Sequence, residues 1–498
     1  MKQISNLKQT NLFCEFTLTC LRIVSFLVYV VGFLNVSYDT MLIGVLILWG
    51  CNVVYSMKKS RLLFLVFNLV LFVFLISRPT IDLFRKDMWW QYKTAENLFS
   101  LSSLYVSMIF LWVGYLIGEK IIEKCENKPK KINTLLSPSA EESFTKTLEF
   151  VSLTLFYISV FSLFVVELEK FLYMRGRNYE EIYVSFRTQL PFFVNAIASM
   201  NKYFLCIFLA TMPTKRKAIL PLSLYVFSAV PYFLIGARFK LVVNALFMVV
   251  YFIIRETLEN KKRWIGKFEK TAFLVSAPAV IAFLGAYNYI REGKKVAYKG
   301  FFDLIVDFFY KQGVSFEILK IGYKTLPKIK YTGFVNYTFG EILDYLMHSN
   351  ISNLLFGTKA FEGGQNKTLG LYSNLLAHRM AYTAAPSWFL EGHGWGSCYL
   401  LDTYADWGYF GIIIFSIFLG LVFSSMIYFV KKGKFGRTVV LLILTSIYYC
   451  PRSCALSWIS FIVYLQFYVP LAMCFVGAVL LIKNYSLKNQ LVCNKHEF

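Results

Sequence analysis

Charged residues are scarce in this sequence: Asp, Glu, Lys and Arg make up 16% of the 498 residues, whereas hydrophobic residues make up 57%. Soluble domains carry about 25% charged residues and do not contain unbroken apolar runs of about twenty residues. Segments of alternating polarity, which would build an outer-membrane barrel, are also absent. We therefore predict an all-α polytopic membrane protein.

The sequence also lacks the common signatures of cofactor chemistry. Its ten cysteines form no CxxC pair, and its four histidines occur in neither HxxE nor HExxH spacing. No glycine-rich loop leads into Lys-Ser/Thr, and no serine sits in a GxSxG elbow. We predict neither a metal site nor a cofactor.

Apolar windows of about twenty residues predict twelve membrane spans, of which the third, eighth and eleventh are short. They divide the chain into nine N-terminal helices with short loops (1–290), a large loop (291–405), and three C-terminal helices with a tail (406–498). The predicted spans are 16–35, 40–57, 62–77, 98–118, 148–169, 192–212, 218–235, 239–254, 271–290, 406–430, 438–450 and 457–482.

Basic residues predict the orientation. One set of connections, together with both termini, holds 27 Lys and Arg, whereas the opposite set, apart from the large loop, holds 11. Positive charge marks the cytoplasmic side, so both termini are predicted to be cytoplasmic. The segment before the first span has no small-residue cleavage pattern and is expected to be retained. The net charge of +23 is then a topology signal with attraction to anionic lipid, not a sign of nucleic-acid binding.

The large loop is predicted to lie on the outer face. It runs for about 115 residues, and loops of this length usually carry function. Residues 301–323 have amphipathic helical spacing, so we expect short helices that lie along the interface or cap the bundle. No internal repeat is visible, which argues against a transporter built from inverted repeats.

Arginine is concentrated on the predicted outer face. Guanidinium groups bind phosphate in a bidentate way, which suggests a site for a lipid-linked pyrophosphate. The alternative is that these arginines pair with nearby carboxylates or reach lipid headgroups. The tight turn "GARFK" and the hairpin "CPRSC" hold two of them at the membrane surface. The nine are Arg78, Arg85, Arg175, Arg177, Arg187, Arg238, Arg291, Arg379 and Arg452.

Two outer segments combine polar and aromatic residues. The segment "RGRNYEEIYVSFR" (175–187) suits a sugar and phosphate surface, or else an interfacial helix with intrahelical Glu–Arg pairs. In "EGHGWGSCYLLDTYADWGYFG" (391–411), His393 lies between two glycines and could act as a general base, or could be an ordinary loop residue. His378 is a competing candidate. Asp402 and Asp406 are four residues apart, so they share one helix face at the membrane entry.

These features resemble a Wzy-type polymerase, one of the O-antigen and capsule repeat-unit polymerases of bacteria. The resemblance covers about the last 270 residues. It rests on Gly394 to Ser397, Asp402 with Tyr404, "DWGYFG" (406–411), the "GARFK" turn and "YKQGVSF" (310–316). Asp402 stands where the family pattern has a glutamate.

The resemblance implies inverting, metal-independent glycosyl transfer at the outer face of the bacterial inner membrane. The donor would be a glycan on undecaprenyl pyrophosphate, and the acceptor a hydroxyl of the next lipid-linked repeat unit. A chain-length regulator would be a partner. The predicted base is His393, Asp402 or Asp406. Gly394, Gly396 and Ser397 would supply loop backbone, and pyrophosphate or sugar would be bound by Arg175, Arg177, Arg187, Arg238, Arg291, His378, Arg379 and Arg452.

Two rival functions are possible, and only the first shares the topology. A ligase that transfers finished glycan also has many spans and a basic outer face. A flippase for the same lipid would place its charges within the spans, where Arg22 and Lys202 are the main examples in this sequence. The scarcity of such charges favours chemistry at an outer surface.

Overall fold

The computed structural model describes residues 2–85, 92–127, 137–177, 180–259, 264–291, 300–330, 333–358, 360–361 and 363–493. The side chains of residues 2–14, 268, 272, 273, 276, 288–291 and 485–493 are outside this description. Within these ranges the chain is helical and contains no strand, which confirms the predicted all-α class.

The first half of the chain forms long helices joined by short connections. The third and fourth helices are continuous through a π-helical turn at Phe72–Ile76. The helices are α1 (Lys2–Leu34), α2 (Tyr38–Ser56), α3 (Leu62–Leu71), α4 (Ser77–Arg85), α5 (Thr94–Glu126), α6 (Pro138–Met174), α7 (Glu181–Val184), α8 (Phe192–Ser199), α9 (Asn201–Ala210), α10 (Lys215–Phe227), α11 (Val230–Leu234) and α12 (Phe239–Leu258).

The second half inserts a series of short helices between two long ones. They are α13 (Lys267–Arg291), α14 (Phe301–Gln312), α15 (Val314–Thr325), α16 (Gly340–His348), α17 (Asn350–Phe356), α18 (Lys367–Tyr372), α19 (Leu376–Ala384), α20 (Pro386–Leu390), α21 (Tyr399–Lys431), α22 (Lys434–Leu444) and α23 (Leu465–Cys493).

Local sequence explains several helix ends. The side chain of Ser137 accepts a hydrogen bond from the Ala140 amide, and Pro138 occupies the first helical position of α6, where its missing N–H costs nothing. Ser349 caps α17 through the Ser352 amide, and Gly357 ends that helix in the left-handed conformation, with φ 66°.

Ten stretches of the described residues are helical, long and apolar enough to cross a membrane, and each overlaps one of the twelve predicted spans. The other two predictions fall on α13, which contains Pro278, and on α22, which has only 11 residues. The predicted span 438–450 is interrupted because helix α22 stops at Leu444. The chain continues as a 3₁₀ segment at Ile447–Arg452. The total of twelve stays a prediction.

Helices α5 and α21 form the centre of the bundle and run parallel. Hydroxyl groups bridge them: Ser107 Oγ lies 2.7 Å from both Tyr399 Oη and Ser416 Oγ. A Cβ added to Gly114 would overlap the carbonyl oxygen of Ile417, so only glycine allows this approach. Small residues that bring two backbones together are the usual basis of helix packing in membranes.

The short helices pack on the end of the bundle where α5 and α21 begin. Ser77 on α4 donates a hydrogen bond of 2.9 Å to the carbonyl oxygen of Phe309 on α14. The ring of Phe99 on α5 stacks on Tyr323 of α15 with centroids 4.5 Å apart. The predicted helical stretch 301–323 is therefore two helices, and they cap the bundle as one of the two predicted placements requires.

Candidate functional site

Asp402 lies in the first turn of α21 and is fully buried. Ser397 donates a hydrogen bond to its Oδ1, and the amide of Ala455 donates to its Oδ2 across 3.0 Å. Ala455 belongs to the connection between α22 and α23, so the carboxylate joins the start of α21 to that connection. Both oxygens are used inside the protein, and its predicted catalytic role stays a prediction.

Asp406 lies one turn further along the same face, as the four-residue spacing predicts. Its two oxygens accept hydrogen bonds from the amides of Tyr337 and Thr338 at 3.0 and 2.7 Å. The helix then bends at Trp407 and Gly408, where Gly408 has φ 61° and ψ −151°. The first two turns of α21 are thus fastened to the segment that precedes α16.

The polar segment 175–187 contacts residues 363–365 and also meets the second polar segment, 391–411, at Gly392. The amide of Gln365 donates to the carbonyl oxygen of Tyr183 at 2.8 Å, and Arg187 donates to the carbonyl oxygen of Gly363 at 2.7 Å. Gly392 has φ 95°, and a Cβ there would lie 2.5 Å from the carbonyl oxygen of Glu180. Glycine is required at this crossing because the two backbones are in contact.

His393 lies at this crossing. Its Nδ1 is 3.8 Å from Oε1 of Glu180, and the two side chains are 31% and 36% exposed. Its ring stacks on Trp388 with centroids 4.8 Å apart and planes 8° apart. The stacking fixes the ring while leaving it accessible, and a carboxylate faces one nitrogen. Gly394 and Gly396 are exposed beside it, whereas Ser397 is buried and bonded to Asp402.

The arginines of segment 175–187 have different environments. Arg177 pairs with Glu181 at 3.2 Å, four residues on, and lies over the Tyr173 ring at 4.5 Å. That pair has the four-residue spacing of the alternative interpretation but is not intrahelical, because Arg177 lies between α6 and α7, and 48% of its side chain remains exposed. Arg175 ends α6 and is exposed. Arg187 uses its guanidinium to hold residue 363, so its main contact is structural.

His378 and Arg379 lie side by side at the start of α19. Burial lowers the pKa of His378, and the Asp344 carboxylate opposes that effect. The imidazole is therefore neutral near pH 7. Arg379 is 1% exposed, and its Nε donates to the carbonyl oxygen of Ser373 at 2.6 Å. Asp344 accepts from the side chain of Ser373, so these groups form one buried network.

Helix α16 carries Asp344 and a second carboxylate, Glu341, which is not among the site residues predicted from the sequence. Glu341 Oε1 accepts hydrogen bonds from Ser460 Oγ at 2.9 Å and from Tyr464 Oη at 2.7 Å. Burial and the Glu341 charge both raise the pKa of Tyr464, so the phenol stays protonated and donates. Burial also raises the pKa of the Cys454 thiol, with neighbouring carboxylates adding to the effect. Ser460 and Glu341 are 119 residues apart, and no local motif links them.

The remaining predicted arginines lie elsewhere on the bundle. Arg452 donates to the carbonyl oxygen and side chain of Gln312, at 3.1 and 3.2 Å. Arg238 donates to the carbonyl oxygen of Leu284 at 3.0 Å. Arg291 ends α13, and its side chain is outside the described part of the chain. Arg452 thus lies at the turn between α14 and α15, where a Cβ on Gly313 would also meet Arg78.

Two more of the predicted arginines, Arg78 and Arg85, lie beside the ring of Tyr310 near the end of α14. Arg78 lies 4.5 Å and Arg85 5.6 Å from the ring centroid. Each faces a carboxylate: Arg78 is 3.8 Å from Glu317, and Arg85 is 3.7 Å from Asp307. This group is locally neutralised, as the alternative interpretation of the outer arginines expects.

Where side chains are described, no three His, Cys, Asp or Glu residues are placed to hold a metal ion. The polar groups instead converge at one end of an apolar helix bundle, in and around the short helices between α13 and α21. This arrangement defines a polytopic membrane protein with a polar surface at one end.

A family model narrows that class. The model described as O-antigen polysaccharide polymerase Wzy matches residues 16–485, nearly the whole chain. The chain therefore belongs to this family, and the resemblance noted in the sequence is confirmed. No curated protein and no solved structure matches it.

Proposed function

We propose that the protein joins repeat units carried on undecaprenyl pyrophosphate into an O-antigen or capsular polysaccharide, at the outer face of the inner membrane. The observation that carries the proposal is the meeting of segments 180–187 and 391–394. In a member of the polymerase family, an accessible histidine there faces the carboxylate of Glu180, and the exposed Arg177 pairs with the neighbouring Glu181.

His393 is the base in this proposal. Its imidazole removes the proton from the acceptor sugar hydroxyl, and Glu180 at 3.8 Å stabilises the imidazolium that forms. The acceptor oxygen attacks the anomeric carbon of the donor sugar, whose bond to the pyrophosphate oxygen breaks with inversion. The pyrophosphate leaves on its lipid carrier, and the imidazolium returns its proton to solvent.

The arginines neutralise the departing pyrophosphate. Arg175 and Arg177 are exposed, Arg177 pairs with Glu181, which follows Glu180 in sequence, and both guanidinium groups can form bidentate hydrogen bonds with phosphate oxygens. Because the pyrophosphate is a pre-activated leaving group, no metal ion has to enter this scheme: positioning and charge stabilisation supply most of the catalysis.

Asp402 and Asp406 take a positioning role. Each uses both carboxylate oxygens to hold protein groups, which is the arrangement expected of a positioning residue. They fasten the start of α21 to the connection before α23 and to the segment before α16. The chain-length regulator belongs to the same proposal as a partner in the membrane.

The test is a deletion strain whose surface polysaccharide is separated on a gel. Deletion should reduce the ladder to a single repeat unit, and the wild-type gene should restore it. His393→Gln should lower the polymerisation rate about 10²–10⁴-fold, the usual contribution of a general base. Arg177→Lys should lose more than its retained charge suggests, because lysine cannot bind bidentately.

Two outcomes would contradict the proposal. Polymer stranded on its lipid carrier in the deletion strain would identify a ligase instead. An unchanged ladder would remove glycosyl transfer altogether. Membrane abundance, measured by immunoblot for each variant, separates loss of activity from loss of protein.

A further inference from the structure

Lys202 is an ammonium group placed among the helices without a partner. It lies in the first turn of α9, just after the chain turns at Met200. Among the described residues its Nζ has no hydrogen bond and no ion pair. The Nζ atom lies 5.1 Å from the centroid of the Tyr203 ring. A cation at the N-terminus of a helix also opposes the helix dipole. Stability therefore gives no reason for a lysine here.

The start of α9 packs on the start of α23, where the ring centroids of Tyr203 and Phe467 lie 6.3 Å apart, and the Glu341 carboxylate acts electrostatically on Lys202. The two groups attract each other but do not close to an ion pair. Glu341 uses only Oε1 for Ser460 and Tyr464, and in the described part of the chain Oε2 has no donor. An ammonium and a carboxylate oxygen thus face the same region, and both have unused hydrogen-bonding capacity.

Another carboxylate in this bundle shows closed ion pairs, although its Oε2 also has no hydrogen-bond partner among the described residues. Glu167, which is 2% exposed, contacts Lys170 at 3.2 Å and Lys240 at 2.9 Å. Closed pairs are expected within a membrane because an isolated charge there is expensive. The open arrangement of Lys202 and Glu341 is what a site needs if a ligand is to complete it.

The hydrogen-bonding groups of Lys202 and Glu341 suit a sugar ring. Lysine supplies three donors, the free carboxylate oxygen accepts, and both can bind hydroxyl groups at once. The rings of Tyr345 and Tyr464 lie beside Glu341, with centroids 4.5 Å apart, and offer apolar faces of the kind that pack on a pyranose. No phosphate site is implied, because the carboxylate would repel it.

We propose that Lys202 and Glu341 bind one sugar of the repeat-unit glycan, between the start of α9, α16 and the segment that leads into α23. This inference rests on the proposed function, since it names a sugar-binding position for the same substrate. A site built around hydroxyl groups discriminates strongly against sugars that lack them, because its polar groups are then left unpaired. The pair is thus a determinant of which repeat unit is accepted.

The test uses full-length protein in lipid nanodiscs. The probe is the repeat-unit oligosaccharide released by mild acid from the strain's own surface polysaccharide, and binding is followed by saturation-transfer NMR. Lys202→Met and Glu341→Gln should each weaken binding at least tenfold. The melting temperature of Lys202→Met should be equal to or above that of wild type, because an unpaired cation has been removed.

The control is Lys217→Met. Lys217 pairs with Glu149 at 2.6 Å beyond the far end of α9, and its loss should leave oligosaccharide binding unchanged. Unchanged binding in Lys202→Met would overturn the inference. So would weaker binding accompanied by a lower melting temperature, because it would show a structural ion pair. If deletion leaves the polysaccharide ladder unchanged, the polymerase proposal fails separately from this binding result.

Discussion

The α5–α21 pair and the region around α16 treat polar groups in opposite ways. Between α5 and α21, hydroxyl groups such as Ser107 bond to each other and are fully buried, and glycine lets the backbones touch. Around α16, Glu341 and Lys202 keep hydrogen-bonding capacity unused. The first arrangement gives stability, whereas the second gives up stability for binding. We therefore expect ligand binding where polar groups are incompletely paired.

The largest effect is expected from breaking the helix pair. Gly114→Leu places a side chain where the backbone of Ile417 lies, so α5 and α21 cannot approach. We expect almost no folded protein, measured by fluorescence-detected size-exclusion chromatography of detergent extracts. Gly50→Ala is the matched control, because a Cβ at that helical glycine meets nothing within 4 Å. It should be neutral or stabilise by about 0.5–1 kcal/mol. Normal abundance of the leucine variant would show that this contact is dispensable.

The next effect concerns the junction between the two regions. Asp402→Ala leaves Ser397 and the Ala455 amide without their acceptor, at a cost of about 1–3 kcal/mol for each buried group. We expect a lower melting temperature and polymer reduced in proportion to abundance. Asp402→Asn keeps one acceptor oxygen and should be intermediate. An Asn variant with full abundance and no polymer would instead restore the catalytic role.

A smaller loss is expected at Arg379. Its Nε bond to the Ser373 carbonyl oxygen holds the connection before α19, and the side chain is buried. Arg379→Ala should destabilise the protein by about 1–3 kcal/mol through the acceptor left unpaired. Thermal unfolding checks this value. If stability is unchanged while polymer synthesis stops, Arg379 contacts the substrate, as the sequence-based pyrophosphate prediction states.

The smallest effect is a pH dependence at His378. Burial lowers its pKa below the ordinary value of 6.5, so below pH 6.5 the unfolded chain binds a proton that the folded protein excludes. The contribution of His378 to the free energy of unfolding is fully present above pH 6.5. It falls, by up to about 1.4 kcal/mol per pH unit, as the pH drops towards the pKa of His378 in the folded protein. Melting temperatures from pH 8 to pH 5 should show a shallower slope for His378→Gln. Equal slopes would show that the imidazole does not contribute.

Sequence patterns were sufficient for the long helices because twenty apolar residues have few alternatives in a membrane. The roles predicted for His393 and for the segment containing Arg187 stay predictions, and the contact of Arg187 with residue 363 appears only in the structure. The eleventh predicted span is not one full-length helix, because apolar composition alone does not show that α22 ends at Leu444 and that a 3₁₀ segment follows at Ile447–Arg452.

The Glu341 site was outside the reach of sequence reasoning for a physical reason. Its partners Ser460 and Tyr464 come from a connection 119 and 123 residues away. A single carboxylate on a short amphipathic helix looks like any solvated face. Lys202 was visible as a charge within a span, but its relation to Glu341 requires the fold.

The pairing of α5 with α21 also determines how late in synthesis these two helices can pack. Ser416 is synthesised 309 residues after its partner Ser107. At about 5–20 residues per second, translation takes roughly 15–60 s to supply that partner. During this time the hydroxyl of Ser107 and the bare backbone at Gly114 face lipid or the insertion machinery. Biogenesis of this protein therefore depends on protecting α5 until the C-terminal helices arrive.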